Sequence, residues 1–349
     1  MQLLDLPTEI LGDIFHHVGS PHFFSDASRL LVCKQWFQLA RLECSQNLYI
    51  SLKSLRRLVS FPDVDSIQGN LQTLDLSLSG FEHWLDVELD ENGCRVRSIK
   101  GINLSERSLF ETDDKILQCH GQDRVDLKTW TDELNDTLLR LATIVRNSRS
   151  VCTLRIYATR RWGWSRSQIS SLTPHLSAAT LSTFLSTSKL TTLDLDTAHI
   201  DFKMGDCHLC LFVARHLNTL RHLRLRIQRL CVDALTPASR TGKLELETML
   251  VNISHRPYSK SSNALWEKLI QQGQLLAEQM ASPKMARILR KAPPHFRGIQ
   301  AYDVLARESM SLGFGDAWDA EGKPFDTAAI IRNWRGVKRM PLSTAHSGT

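Results

Sequence analysis

A short hydrophobic signature, L-x-x-L-x-L, recurs in order along this chain and constrains its fold more than any other feature. Clear copies are Leu71-x-x-Leu74-x-Leu76, Val151-x-x-Leu154-x-Ile156, Leu190-x-x-Leu193-x-Leu195 and Leu220-x-x-Leu223-x-Leu225. Looser copies start at Ile99 and Leu246, and Ile299-x-x-Tyr302-x-Val304 is a candidate seventh. Start-to-start spacings across the first six are 28, 52, 39, 30 and 26 residues. Helical patterns lie between the copies: Leu134, Leu138, Leu141 and Val145 share one face, Leu181, Phe184 and Leu185 another, and Leu209, Phe212, Val213 and Leu217 a third. One strand-helix unit cannot bury its own apolar side, so stacked units share a core beneath a parallel sheet. The 52-residue gap holds the polar run SERSLFETDDKILQCHGQDRVD, read as an inserted surface loop near 105–133, and the 39-residue gap holds TRRWGWSRS.

Because side chains alternate along a strand, the residues between the core positions share the opposite face. That row runs Thr73, Asp75, Ser77; Gly101, Asn103, Ser105; Thr153, Arg155, Tyr157; Thr192, Asp194, Asp196; His222, Arg224, Arg226; and Thr248, Leu250, Asn252. Acidic and basic pairs stand side by side in it. Arg215, Arg221, Arg224, Arg226 and Arg229 fall within fifteen residues that contain no Asp or Glu. Such guanidiniums suit carboxylates or phosphates, as in an acidic or phosphorylated target; plain solvation, or pairing with Asp194 and Asp196, is the favoured account of them. The candidate recognition residues on this face are Arg155, Tyr157, Asp194, Asp196, Arg224 and Arg226. A basic and aromatic stretch, Arg160, Arg161, Trp162, Trp164 and Arg166, is a second patch.

The first fifty residues read differently. LPTEILGDIFHHV places Pro7 at a helix start and Glu9 in its first turn, with Ile10/Ile14 and Leu11/Phe15 as adjacent i,i+4 stripes. Gly19, Ser20 and Pro21 end that helix. Asp26 is a plausible N-cap for a second, carrying Leu30, Cys33, Phe37 and Ala40 with Val32 and Trp36 at its flanks. So short a unit has a poor core and apolar residues on several sides, which it must cover with its own body or with another protein.

Leu6-Pro7, Glu9-Ile10-Leu11, Ile14-Phe15 and Leu31-Val32-Cys33-Lys34-Gln35-Trp36 together resemble an F-box, over roughly residues 3 to 46. The resemblance implies that the head docks on a Skp-type adaptor and through it on a cullin. Leu6, Pro7, Ile10, Ile14, Val32 and Trp36 are then the implied contact set, with Phe15 and Cys33 packing inside; a helical hairpin whose apolar residues all serve internal packing is the alternative. The strand ladder resembles irregular leucine-rich repeats, whose units run 20–29 residues, with an ordinary leucine-rich α/β domain as the alternative. The expected fold class is α/β: a small N-terminal helical F-box at 1–50, a curved leucine-rich-repeat solenoid over 51–335 and a disordered tail at 336–349. In the final third, Asn263 to Met280 reads as a helix, a short basic helix precedes Pro293-Pro294, and a last strand near 299–306 caps the array. The segment GDAWDAEGKPF resembles a C-terminal stretch of filamentous-fungal F-box proteins.

Composition excludes several classes. With 349 residues, 42% hydrophobic and 23% charged, the chain is sized for about two domains and is too apolar to be disordered throughout. It has no run of ~18 apolar residues and no signal-like start, so neither membrane insertion nor secretion is expected. Eight scattered cysteines fit reduced thiols in the cytoplasm and/or nucleus. The net charge of +6 divides into −2 over residues 1–50 and +7 over 151–256. Nucleic acid is the lesser reading of that basic region, because its arginines lack interleaved stacking aromatics. Cys207-x-x-Cys210 with His216 has no second ligand pair and reads as core thiols. The nucleotide-loop, nucleophile-elbow and zinc-protease motifs are incomplete. Neither cofactor nor metal is expected. The implied role is a non-catalytic subunit that presents an unknown target protein to a cullin ubiquitin ligase, or the same head on a non-proteolytic scaffold.

Overall fold

The structure, a computed structural model, describes residues 6–51, 54–55, 68–78, 85–89, 95–99, 102–104, 121–158, 176–197, 209–227, 230–238, 242–254, 260–292, 298–313 and 316–324. The head opens with α1 (Thr8–Val18), which buries Leu11 and Phe15. Gly19 stops it with φ 75°, a backbone that a side chain would strain, while its N–H bonds the Phe15 carbonyl at 2.9 Å. A short α2 (Ser20–Ser25), a single 3-10 turn (Ala27–Leu30) and α3 (Lys34–Gln46) follow.

The helix expected after Asp26 begins later than the pattern predicts. Asp26 caps only the 3-10 turn, accepting the Ser28 N–H at 2.9 Å, and helix resumes at Lys34, where the Cys33 sulfur accepts the Trp36 N–H. Trp36 bridges the break: its indole N–H donates to the Arg29 carbonyl at 2.6 Å, tying α3 back to the 3-10 turn across the non-helical connection. Leu31 and Val32 are left on an exposed connection. Phe15, Phe23 and Trp36 form an aromatic cluster, with Phe15 and Trp36 edge to face at 4.5 Å, and Leu11, Ala40 and Cys44 complete the head core.

α3 runs straight into β1 (Asn47–Ser51), the edge strand of the main sheet, so the expected boundary at residue 50 falls inside a strand. That open sheet has ten strands in the order β1-β2-β6-β7-β8-β9-β10-β11-β12-β13. These are β2 (Thr73–Ser77), β6 (Thr153–Tyr157), β7 (Thr192–Thr197), β8 (His222–Ile227), β9 (Thr248–Asn252), β10 (Met285–Lys291), β11 (Ile299–Asp303), β12 (Glu308–Leu312) and β13 (Lys323–Pro324). Within this sheet β1, β2 and β6 to β10 pair in parallel, and the last three strands add on antiparallel. Between parallel strands run α4 (Gly121–Asn147), α5 (Ala178–Phe184), α6 (Leu209–His216), a 3-10 turn (Val232–Leu235) and α7 (Lys260–Gln279). The chain is thus mixed α/β.

Register follows the leucines. Leu48, Leu74, Leu154, Leu193, Leu223, Met249 and Ala286 stand opposite one another, as do Ile50, Leu76, Ile156, Leu195, Leu225, Val251 and Ile288. All are buried in one core with the inward faces of α4 to α7, including Leu138, Leu141, Phe184, Val213 and Leu269. A one-residue slip would turn every one of these side chains outward, so the pattern fixes the pairing. Strand entries repeat as well: the Gln72, Cys152, Thr191, Arg221, Glu247 and Lys284 amides bond the Gln46, Gln72, Cys152, Thr191, Arg221 and Glu247 carbonyls in turn, at 2.7 to 2.9 Å.

Three expectations are corrected here. The copy at Ile99–Leu104 is not in this ladder but spans β4 (Arg95–Ile99) and β5 (Ile102–Leu104), which with β3 (Leu85–Leu89) make a separate antiparallel sheet. Its short Ile99-to-Ile102 spacing closes a hairpin instead of continuing one strand. Of the loop expected near 105–133, residues 121–133 belong to α4, the remainder lying outside the described residues. The basic segment before Pro293 is strand β10, not a helix: it is covered on both sides, so Ala286, Arg287, Ile288 and Leu289 are all buried and the period-2 alternation of a half-exposed strand is lost. The expected last strand at 299–306 is β11, running antiparallel. The tail at 336–349 lies outside the described residues.

Candidate functional site

The sheet face opposite the helices carries the polar row in register. Asp75, Arg155, Asp194, Arg224, Leu250 and Arg287 form one line across the strands, Ser77, Tyr157, Asp196 and Arg226 the next, and farther along Asn252 stands opposite Leu289. Neighbouring positions are about 4.8 Å apart in such a ladder, so opposite charges meet directly. Arg155 Nη1 lies 3.9 Å from Asp75 Oδ2 and Arg224 Nε 3.8 Å from Asp194 Oδ2. Arg226 grips Asp196 with two hydrogen bonds, Nε to Oδ1 at 2.7 Å and Nη2 to Oδ2. Tyr157 Oη donates to Asp194 Oδ2 at 2.7 Å. All six candidate recognition residues therefore come together, mostly paired with each other.

Burial sets their electrostatics. Desolvation pushes the Asp194 carboxyl above the ordinary carboxylate range, against the opposing pull of the Tyr157 hydroxyl and of Arg224. The same cause raises Asp75 against the pull of Arg155, and raises the Tyr157 phenol, which also gives its hydrogen bond to Asp194. Asp75 Oδ1, Asp194 Oδ1 and Asn252 Nδ2 are buried without a hydrogen-bond partner.

One end of this face is covered by the chain itself. Strands β11 to β13 bring residues 316–324 across it, and Trp318, 5% exposed, lies under the guanidiniums of Arg224 and Arg226 at 4.1 and 4.9 Å from its ring centre. Buried Arg287 donates Nη1 to the carbonyl of Ala320 at 2.7 Å and reaches Asp303 at 3.5 Å. Leu250, Leu289, Ile299, Ala301, Leu312 and Trp318 form a second apolar cluster there. The sequence reading missed Arg287 and the place of Trp318; a lone tryptophan in the polar run GDAWDAEGKPF was the available signal.

Other predicted positions separate. Arg215 sits on α6 against the Phe212 ring, and Arg221 pairs with Glu245 at the strand entry. Asn103 lies in β5, off the ladder, while Gly101, Ser105, Arg229 and the Arg160–Arg166 patch lie outside the described residues. Cys210 is buried, its sulfur accepting the Cys231 N–H at 3.3 Å; burial raises its thiol and pushes Cys231 up to about 12. His216 hydrogen-bonds the Leu185 carbonyl at 2.6 Å, and burial lowers its pKa. Cys207 lies outside the described residues.

The head presents a second surface. Of its predicted contact set, Pro7 is exposed, Ile10 is 46% and Val32 61% exposed, and Ile14 is half-buried. Leu31 at 75% and Val18 join them, unpredicted. Trp36 and Leu6 instead pack on the head core, because the indole N–H is tied to Arg29 and its ring to Phe15. Among the described residues, no helix is long and apolar enough to cross a membrane. No protein-family model matches this chain, nor does any curated protein or any solved structure.

Proposed function

We propose that this chain is a substrate-recognition subunit of an SCF-type cullin ubiquitin ligase, an F-box head docking on a Skp-type adaptor and a leucine-rich-repeat-like body holding a target protein. The observation that carries the reading is the set of exposed apolar side chains on the head. Ile10, Val18, Leu31 and Val32 stand in water while Phe15, Phe23 and Trp36 fill the interior. Exposed apolar side chains on so small a unit support a surface that a partner covers. The resemblance of the LP-x-E-I-L and V-C-K-x-W runs to an F-box supports a Skp-type adaptor as that partner. The parallel ladder, one strand and one helical segment per step, supports a repeat body that offers side chains from many strands to one target. The chain's contribution to ubiquitin transfer is proximity, raising the effective concentration of a target lysine.

Co-purification from cells tests this. The wild type brings down a Skp-type adaptor and a cullin, and Ile10→Asp/Val32→Asp brings down neither while remaining folded. Recovery of both proteins with the double variant contradicts the reading.

A further inference from the structure

We propose that the arginine end of the sheet face is a peptide-binding groove for an extended, tryptophan-bearing segment, and that residues 316–324 occupy it in cis, so that a partner enters by displacing them. This deepens the target-recognition reading and rests on it for the partner's role. The argument begins with what the arginines have left to offer. Arg226 is held along one edge of its guanidinium by Asp196, Arg224 lies against Asp194, and Arg287 lies against Asp303. With each cation beside a carboxylate of the same face, a phosphate or acidic side chain would have to compete with a built-in anion. What remains open is the flat side of each guanidinium and spare N–H groups on Arg224 and Arg287, whose Nε atoms are buried without a hydrogen-bond partner. A flat cation face attracts an aromatic ring, and a spare N–H attracts a carbonyl.

The segment that covers the groove supplies just those groups. The indole of Trp318 lies against both Arg224 and Arg226, and the Ala320 carbonyl takes a hydrogen bond from Arg287. Its acidic side chains, Asp316, Asp319 and Glu321, are exposed, and the contacts made on the arginines are those of the ring and the backbone. Strand pairing is slight: β13 is two residues long and meets β12 through Met310 to Pro324 and Ser311 to Lys323 only. Parallel strands β7 to β10, by contrast, are tied by continuous ladders. The covering segment is therefore held mainly by one ring and one arginine, and one ring on an incoming peptide replaces them.

Two measurements on the full chain test the groove. In hydrogen exchange of the wild type, amides of 316–324 exchange by local opening, at least 100-fold faster than those of β8 and β9; exchange at the same rate as those strands makes the segment a fixed part of the sheet and overturns the proposal. In fluorescence anisotropy, a labelled peptide of residues 316–324 binds Trp318→Ala at least tenfold more tightly than wild type, and binding is lost in Trp318→Ala/Arg224→Ala/Arg226→Ala. No binding to a Trp318→Ala chain that still melts cooperatively, or equal binding to wild type, overturns it. If Trp318→Ala does not fold, the exchange result on the wild type decides. Neither measurement involves adaptor or cullin, so failure here leaves the ligase reading standing, and failure of that reading leaves these results unchanged.

Discussion

Arg226 on β8 and Asp196 on β7 face each other in register and form a doubly hydrogen-bonded ion pair, with side chains only 16% and 8% exposed. Removing one partner strands the other charge away from water, which costs about 3–5 kcal/mol in buried pairs. Asp196→Ala is expected to lose about 3 kcal/mol in urea unfolding. Replacing both residues, Asp196→Leu/Arg226→Met, recovers most of it, because no unpaired charge remains.

Asp194 gives a pH signature. Its folded pKa lies above the ordinary aspartate value, with desolvation as the main cause. A raised carboxyl binds its proton more tightly in the folded state than in the unfolded one. Its contribution is therefore favourable below its folded pKa and is lost as pH rises from about 4 through that value. Asp194→Asn keeps an acceptor for Tyr157 and has no charge to desolvate. The stability of this variant relative to wild type should rise from pH 3 to pH 7 in parallel denaturation series; a difference that falls over this range would show that Arg224 outweighs burial.

How much of this was legible beforehand depends on which side of each strand spoke. Leu71, Val151, Leu190, Leu220 and Leu246 located five ladder strands and put Asp194 beside Arg224 and Asp196 beside Arg226, because a strand buried on one face writes its register in period 2. β1 and β10 escaped the same search because Ser45 and Pro283 stand where the other strands begin with an apolar residue. In the head, the helix pattern ran through Leu30 to Ala40 and could not register that the Trp36 ring takes the Arg29 carbonyl. That tertiary bond reassigns Trp36 from surface to core and leaves Val32 outside. The lone Trp318 stood out in its polar run, but its partners could not be read, since Arg224 and Arg226 on β8 are about ninety residues earlier in sequence.

Gly298 predicts a local backbone effect. It has φ 130°, and a Cβ there would run into the Leu312 carbonyl oxygen of the neighbouring strand. Gly298→Ala is expected to cost about 1–3 kcal/mol, the scale for residues forced into such conformations. Hydrogen exchange should show the loss first in β11 and β12, with β2, β6 and β7 unchanged.

Head packing and head surface should separate cleanly. Trp36→Ala removes the ring that joins Phe15 and Phe23 and is expected to cost about 3 kcal/mol, detected as loss of α1 and α3 protection in exchange. Exposed Ile10→Asp and Val32→Asp should each change stability by less than about 0.5 kcal/mol. Loss of adaptor binding in Trp36→Ala would then reflect unfolding of the head, whereas loss in the other two reports the surface itself.

The most direct test of the central claim is a titration of the purified full chain with a purified Skp-type adaptor by isothermal calorimetry. The account predicts one-to-one binding by the wild type and at least a thirtyfold weakening in Ile10→Asp/Val32→Asp, the scale set by truncating a central interface residue at about 2 kcal/mol. Equal affinities for the two proteins, or no heat with the wild type, would contradict it.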